Sequence, residues 1–300
     1  MKKGFFGIFL LLVLLALWYL FIKPSDYTVR FEAKTFPGAI NQTLKLWDRT
    51  LDTVEPIAQE NDLFHLTQNI RFGDSIHQYR WIIKPLTDST SKVTVNIKDK
   101  EHSFWNKLKV PFSDTNFEKR SRKTVFDFME NLQDHVDKFK VTIIGEAITP
   151  GKYFAYVPVK VTQFQKAGGM MKYLPSINSV LLKNKVSLNG PPIIEITQWN
   201  QINDSLYYNF GQPIFANDSL PQNQGLEYKQ LKKRPALKAI YNGNYITSDR
   251  AWYALLDYAD KNGIAVEKNA LEVFFNNPNM GGNDIEWKAE IYLPIIEDNE

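Results

Sequence analysis

The spacing of apolar positions divides the chain into three segments, each with its own character. Residues 4–22, "GFFGIFLLLVLLALWYLFI", carry no charge at all. Nineteen residues in one α-helix rise about 28 Å, close to the roughly 30 Å hydrocarbon core of a bilayer. Lys2 and Lys3 precede the run, Lys23 and Pro24 follow it, and Trp18 and Tyr19 lie near one end, where aromatic belts sit. "LWYLFIKP" holds no small-x-small cleavage pattern. The expectation is an uncleaved single-pass anchor over 1–25, with the membrane as partner through residues 4–22. Lys2 and Lys3 place the start in the cytoplasm and residues 25–300 outside it, in the periplasm. Lys23 and Arg30 put positive charge on the other flank, so a cytoplasm-facing arrangement is the alternative.

From residue 26 to about 145 the spacing alternates between two and three to four. "YTVRFEAKTF" (27–36) places Val29, Phe31 and Ala33 on one strand face. Pro37 then opens a helix in which Ile40, Leu44, Trp47 and Leu51 recur. "LFHLTQNI", "HQYRWIIKP", "KVTVNIK" and "SFWNKLKVPF" read as strands of an antiparallel meander, the first three separated by turn residues. Thr115 and Glu118 form a capping box ahead of a long helix with the stripe Val125, Phe128, Met129, Leu132, Val136 and Phe139. One apolar stripe needs a sheet face to cover. In this element order the segment resembles the START-like superfamily, also called SRPBCC or polyketide-cyclase-like. That resemblance implies a helix-grip domain whose sheet wraps the last helix around an apolar cavity, with room for a lipid-like molecule.

After "GEAITPG" (145–151) one pattern occurs twice, over about 153–215 and 236–296: strand, helix and two further strands. In the first copy "FAYVPVKVT" precedes a helix near Phe164–Leu174, then "PIIEITQW" and "LYYNFGQPI". In the second "ALKAIYNGNY" precedes "SDRAWYALLDYADKNGI", then "ALEVFFNNP" and "EWKAEIYLPI". Trp252, Leu255, Leu256 and Ala259 make a helical stripe, and Gly263 is placed to end it. Residues 216–235 connect the copies. In the last strand Trp287, Ala289, Ile291 and Leu293 share one face, with Glu286, Lys288, Glu290 and Tyr292 on the other.

Leu237–Ile295 is similar to gyrase-inhibitor-like (GyrI-like) domains, the effector-binding domains of AraC-type transcription activators. The likeness rests on the glycine turn in "YNGNY", the helix "W..L..Y", the strand end "FFNNP" and the final "E..LPI". It implies a bacterial protein in which two pseudo-symmetric halves hold a small, often aromatic or cationic, molecule in a groove. It also implies an acid at the groove centre, which falls on Glu290, with Asn209 as its counterpart in the first copy. Tyr241, Trp252, Phe274, Tyr292 and Tyr207 are the aromatics placed near it by pattern. A carboxylate among rings pairs with a cation that the rings also attract. A solvated outer face for Glu290, and core packing for each ring, are the plain alternatives.

Composition narrows the field. An aromatic share of 14% suits a cavity or a ring-rich core, and a net charge of +3 is too mild to imply nucleic acid. With no cysteine there is no disulfide, thiolate nucleophile or cysteine metal site. The histidines His65, His77, His102 and His135 fit no zinc spacing, so no metal or cofactor is implied. "GDSIHQ" is no nucleophile elbow and "KAGGMMK" no P-loop. The fold class read from the sequence is α+β: a transmembrane helix (1–25), a START-like domain (26–145) and a pseudo-two-fold effector-binding domain (150–300). The function read is a membrane-anchored small-molecule binding or sensing protein for apolar, aromatic or cationic ligands. The alternative is a hydrolase or detoxifying enzyme, with Glu290 as general base beside Tyr292 and Trp252 if its groove raises its pKa.

Overall fold

The computed structural model describes residues 2–87, 89–216, 220–222 and 225–297. The chain is α+β and divides into two compact units, Met1–Asp134 and His135–Glu300.

In the first unit α1 (Lys2–Leu17) gives way to a π-helical turn at Trp18–Ile22, closed by the Lys23 N–H on the Trp18 carbonyl at 2.8 Å. Among the described residues no helix is long and apolar enough to cross a membrane. This corrects the expected transmembrane helix, and the fold class and membrane partner built on residues 4–22. The uncharged run does not form one α-helix: the 16 residues of α1 rise about 24 Å, short of the hydrocarbon core.

Five antiparallel strands follow: β1 (Tyr27–Ala33), β2 (Thr53–Gln59), β3 (His65–Phe72), β4 (Ser75–Thr87) and β5 (Thr90–Asp99). Their order is β1-β5-β4-β3-β2. Between β1 and β2, α2 (Pro37–Asp48) starts on Pro37 as expected, while β2 was not anticipated. "SFWNKLKVPF" is not a strand but the short helix α3 (Ser103–Lys109). The Lys107 ammonium of α3 donates to the carbonyls of Leu20 and Lys23 at 3.2 and 2.5 Å, satisfying acceptors that a helix end leaves open. Ahead of α4 (Asn116–Val136) the Thr115 hydroxyl accepts from Glu118 N–H at 3.1 Å. The α4 stripe covers the sheet with Phe128 5.4 Å from Trp47 and 4.9 Å from Trp81, ring centre to ring centre. Phe139, read as the end of that stripe, instead opens the next strand.

The second unit has one eight-stranded antiparallel sheet. Its strands are β6 (Phe139–Ile148), β7 (Tyr153–Thr162), β8 (Ile193–Trp199), β9 (Ser205–Pro213), β10 (Glu227–Gln230), β11 (Pro235–Gly243), β12 (Leu271–Phe274) and β13 (Lys288–Pro294). The order β10-β7-β9-β8-β12-β13-β11-β6 is a pseudo-two-fold: β7-β9-β8 meets β12-β13-β11 at the β8–β12 pair. The connecting segment holds β10, and its residues 217–219 and 223–224 lie outside the described ones.

The repeat extends to the way its helices end. α5 (Lys166–Lys183) and α6 (Arg250–Lys261) each finish in a left-handed residue, Lys185 at φ 56° and Gly263 at φ 64°. Val186 N–H then returns to the Leu181 carbonyl, and Ile264 N–H to that of Ala259, both at 2.9 Å. Matching bridges follow at Leu188–Ile214 and Val266–Ile295. Both helices cover the same sheet face, burying Ile177, Leu181, Trp252, Leu255 and Ala259 against Tyr208, Phe210, Tyr241, Ile291 and Leu293.

Candidate functional site

Strand alternation divides the expected site residues between the two faces of the second sheet. Glu290, Tyr292 and Tyr207 lie on the face away from α5 and α6, whereas Tyr241, Trp252 and Phe274 belong to the core beneath those helices.

On the outer face Glu290 has three partners. Its Oε1 accepts from the Lys288 ammonium at 2.8 Å, and its Oε2 from the Tyr292 hydroxyl at 2.7 Å and the Lys238 ammonium at 2.9 Å. Lys238 also stands 5.1 Å above the Tyr292 ring. The cation that an acid beside a ring attracts is therefore already present, supplied by β11. Partial burial alone would raise the pKa of Glu290, but the bonds from Lys288, Lys238 and Tyr292 outweigh it and hold the carboxyl at about 2. Next to it Phe154, Ile193, Ala236, Leu271, Val273 and Tyr292 close around Leu231, which is 5% exposed and comes from the segment after β10. Beside Glu290 and Tyr292 the protein's own side chains occupy the space where a ligand was expected. A polar hollow of about 450 Å³ at its rim holds the ion pairs Lys229–Glu195 and Arg234–Glu267. Asn209 donates to Glu195 at 2.8 Å, and Tyr207 lies beneath the Lys160 ammonium at 4.9 Å.

The depressed pKa of Glu290 has a consequence for stability. The folded value lies below the unfolded one of about 4.3, so the contribution is complete above about pH 5 and is lost as pH falls toward 2. The stability difference between the wild type and Glu290→Gln is expected to shrink by about 1–2 kcal/mol between pH 6 and pH 3, after allowance for solvent screening. Urea midpoints at the two pH values read this, and a constant difference would refute it.

Under the helices a second carboxylate repeats the arrangement. Glu272 on β12 and Lys166 at the start of α5 are both fully buried, with the ammonium 2.8 and 2.6 Å from the two carboxylate oxygens. The same ammonium donates to the Ser248 hydroxyl at 2.5 Å and stands 4.8 Å from the Trp252 ring and 5.8 Å from that of Phe274. Trp252 and Phe274 thus do surround a cation beside an acid, but the acid is Glu272 and the cation is Lys166. Tyr241 is buried farther along β11, its hydroxyl 2.7 Å from that of Thr247 and donating to the Asn244 carbonyl at 2.9 Å.

Beside this core lies an unfilled hollow of about 380 Å³. Met170, Met171 and Leu174 of α5 form one wall, and Phe210, Phe274, Phe275 and Trp287 the other. Asn178, Gln212, Asn244, Asn276, Asn277 and Asn279 supply amides around it. No Asp, Glu, Lys, Arg or His lines it among the described residues. Tyr245 braces the wall: its hydroxyl donates to the Lys288 carbonyl at 2.8 Å and accepts from Asn276 N–H at 3.0 Å, and burial pushes its pKa up to about 12. The backbone geometry that makes room is local. Asn277 caps the turn Pro278–Met280 by accepting from Asn279 N–H at 3.1 Å, and Gly281 takes a left-handed φ of 71°. Of the expected site residues only Phe274 borders this hollow. The sequence signals for the others were weak: a methionine pair after two glycines in "KAGGMMK", and the asparagine run in "FFNNPNM".

Residues 150–296 match the family described as the GyrI-like small molecule binding domain. Solved structures similar in fold include the C-terminal domain of EcmrR, at 15% identity and a TM-score of 0.44 over 53% of this chain and 98% of that one. The EcmrR–DNA complex is similar at 14% identity and a TM-score of 0.43, over 63% and 75% of the two chains. SAV2435 bound to tetraphenylphosphonium is similar at 8% identity and a TM-score of 0.35, over 53% and 93%. No curated protein matches the chain. The expected partner set is corrected at the membrane, since the helix it rested on falls as described above. No family match covers residues 26–145, so the START-like assignment stays a likeness of element order. By its repeat, its sheet and its family match, the segment 150–296 is a GyrI-like small molecule binding domain.

Proposed function

We propose that the second unit binds an uncharged, largely apolar small molecule in the hollow between α5 and the Phe274–Asn279 segment. The observation that carries this reading is the wall chemistry: rings, methionines and amides around about 380 Å³, with no ionised side chain among the described residues. The volume falls in the range of about 300–1,000 Å³ typical of ligand sites, and a few amides among apolar walls orient a ligand without demanding charge. Methionine side chains adapt to varied shapes, which suits a sensor for a class of compounds.

Two finer expectations lose support. A cationic ligand has no free acid to meet, since Glu290 is neutralised by Lys238 and Lys288 and Glu272 by Lys166. Catalysis by Glu290 as general base is disfavoured, because a carboxyl held at about 2 takes up protons poorly near neutral pH.

The test is titration of the full chain with Nile red, an uncharged apolar dye. Enhanced emission with micromolar affinity is expected in the wild type, with at least about tenfold weaker binding in Met171→Trp. Met171 lines the hollow yet is 54% exposed, so the larger ring blocks the mouth without crowding the core. Equal binding by both proteins places the dye elsewhere and sinks the reading.

A further inference from the structure

The asparagines that line the hollow have their oxygens tied down and some of their amino groups left over. Asn276 Oδ1 accepts from Lys288 N–H at 2.8 Å, Asn277 Oδ1 from Asn279 N–H at 3.1 Å, and Asn244 Oδ1 from Ile246 N–H at 3.1 Å. Each donor is a backbone N–H, which only an oxygen can meet, so these three amides cannot be turned end for end. The oxygen of Asn178 is taken as well, by Gln212 Nε2 at 3.0 Å. The amino ends fare differently. That of Asn244 reaches Asp284 at 3.4 Å, whereas those of Asn276 and Asn277 meet no partner among the described residues. Asn276 and Asn277 are exposed residues of the hollow's wall, so a ligand reaches them with the fold as it stands. The two ends of a planar amide point apart. With its oxygen held in the wall by the backbone, the amino end is the one turned into the open space. Few amide oxygens compete for a ligand: that of Gln212 is buried out of reach, which leaves Asn279 as the amide with both ends open.

We infer that Asn276 and Asn277 are the recognition donors of the hollow, and that its ligand is an uncharged molecule with an apolar body and a carbonyl-type acceptor oxygen. The inference rests on the small-molecule reading above and adds the polarity and place of the polar contact. A carbonyl meets the amino ends at no cost in charge, while its apolar body lies against Phe274, Phe275 and Trp287. A ligand with only an N–H donor would set hydrogen against hydrogen at both asparagines. An ammonium would do the same and also pay the desolvation of a full charge, since no carboxylate lines the wall. A carboxylate ligand would find donors but no cation among the described lining residues, and pays that cost too. Asn276 and Asn277 are thus specificity-determining residues, and the backbone N–H groups of Lys288 and Asn279 position them.

The experiment displaces Nile red from the full chain with two compounds of similar size: 1-tetralone, which has a carbonyl, and indole, which has only an N–H donor. 1-Tetralone is expected to displace the dye at about fivefold lower concentration, a ratio in the range that a hydrogen bond supplies. In Asn276→Asp with Asn277→Asp, each side chain keeps an oxygen for its backbone N–H and exchanges its amino group for a second oxygen. That double variant is expected to melt close to the wild type and to reverse the preference in favour of indole. Asn277→Asp alone carries the same test should the pair not fold, since aspartate and asparagine rank alike as caps. Equal displacement by the two compounds in the wild type, or a carbonyl preference that survives in the variants, overturns the inference and leaves the hollow as a binding site. So does failure of both compounds to displace a dye that Met171→Trp excludes. A dye bound equally by wild type and Met171→Trp sinks the small-molecule reading, and the inference with it.

Discussion

Glu272→Gln is expected to destabilise the second unit by about 3–5 kcal/mol, the usual cost of leaving one member of a buried ion pair without its partner. Lys166 and Glu272 are both fully buried, so the Lys166 ammonium left behind has no water to turn to. Its remaining partners are the Ser248 hydroxyl and the rings of Trp252 and Phe274. Lys166→Met leaves the carboxylate with Ser248 alone, 3.0 Å from its Oε2, and should cost as much. Replacing both, as Lys166→Met with Glu272→Leu, is expected to cost less than either single change, because no charge is then stranded in the core. Hydrogen exchange at the β12 and β13 amides reads the local opening free energy without mixing in the first unit. Single variants costing less than about 1 kcal/mol would mean that water reaches the pair, contrary to its burial. The pair joins the first repeat, through Lys166, to the second, through Ser248 and Glu272. A registry role between the halves fits that placement better than net stability does.

The repeat itself was legible. Strands recur with their turns, each copy ends on "PI", and "KNGI" announces the left-handed end of α6. The matching end of α5 was hidden, because Lys185 rather than glycine takes the left-handed conformation there. The α5 helix also ran past the expected Leu174, with Pro175 carried inside it. The acid–ring–cation chemistry was read correctly in kind and wrongly in place. Strand alternation puts Glu290 and Phe274 on opposite faces, and only the pairing of Lys238 with Tyr292 across β11 and β13 shows where the cation comes from. A register that pairs Lys238 with Tyr292, far apart in the chain, is a tertiary fact that local pattern does not carry. The hollow was illegible for the same reason: α5, the β9 edge, the turn before α6 and the 274–279 loop meet only in the fold. The anchor failed differently. Composition over 4–22 fits a span, but the continuity of the helix breaks at Leu17, where the hydrogen-bond pattern changes.

Gly211→Ala is expected to cost about 3 kcal/mol or more, at the upper end of what overpacking does. A Cβ there would lie 1.9 Å from the Ala155 carbonyl oxygen and 2.7 Å from the carbonyl carbon and from Tyr156 Cα. These are backbone atoms of β7, held in a ladder from Phe154–Pro213 to Thr162–Ser205, so neither can yield as a side-chain tip would. The strand has to separate or twist, and Phe210 and Gln212, on either side of Gly211, are the residues that line the hollow. Weaker Nile red binding is therefore expected to accompany the lost stability, although Gly211 itself does not border the site. Gly168→Ala is the control. It sits exposed in α5 with open space around its missing Cβ, and alanine there should stabilise by about 0.5–1 kcal/mol through helix propensity alone. Guanidinium midpoints of the two variants should move in opposite directions. If Gly211→Ala proves as benign as Gly168→Ala, β7 and β9 are not held at this spacing, and the hollow's wall at Phe210 and Gln212 loses the support that fixes it.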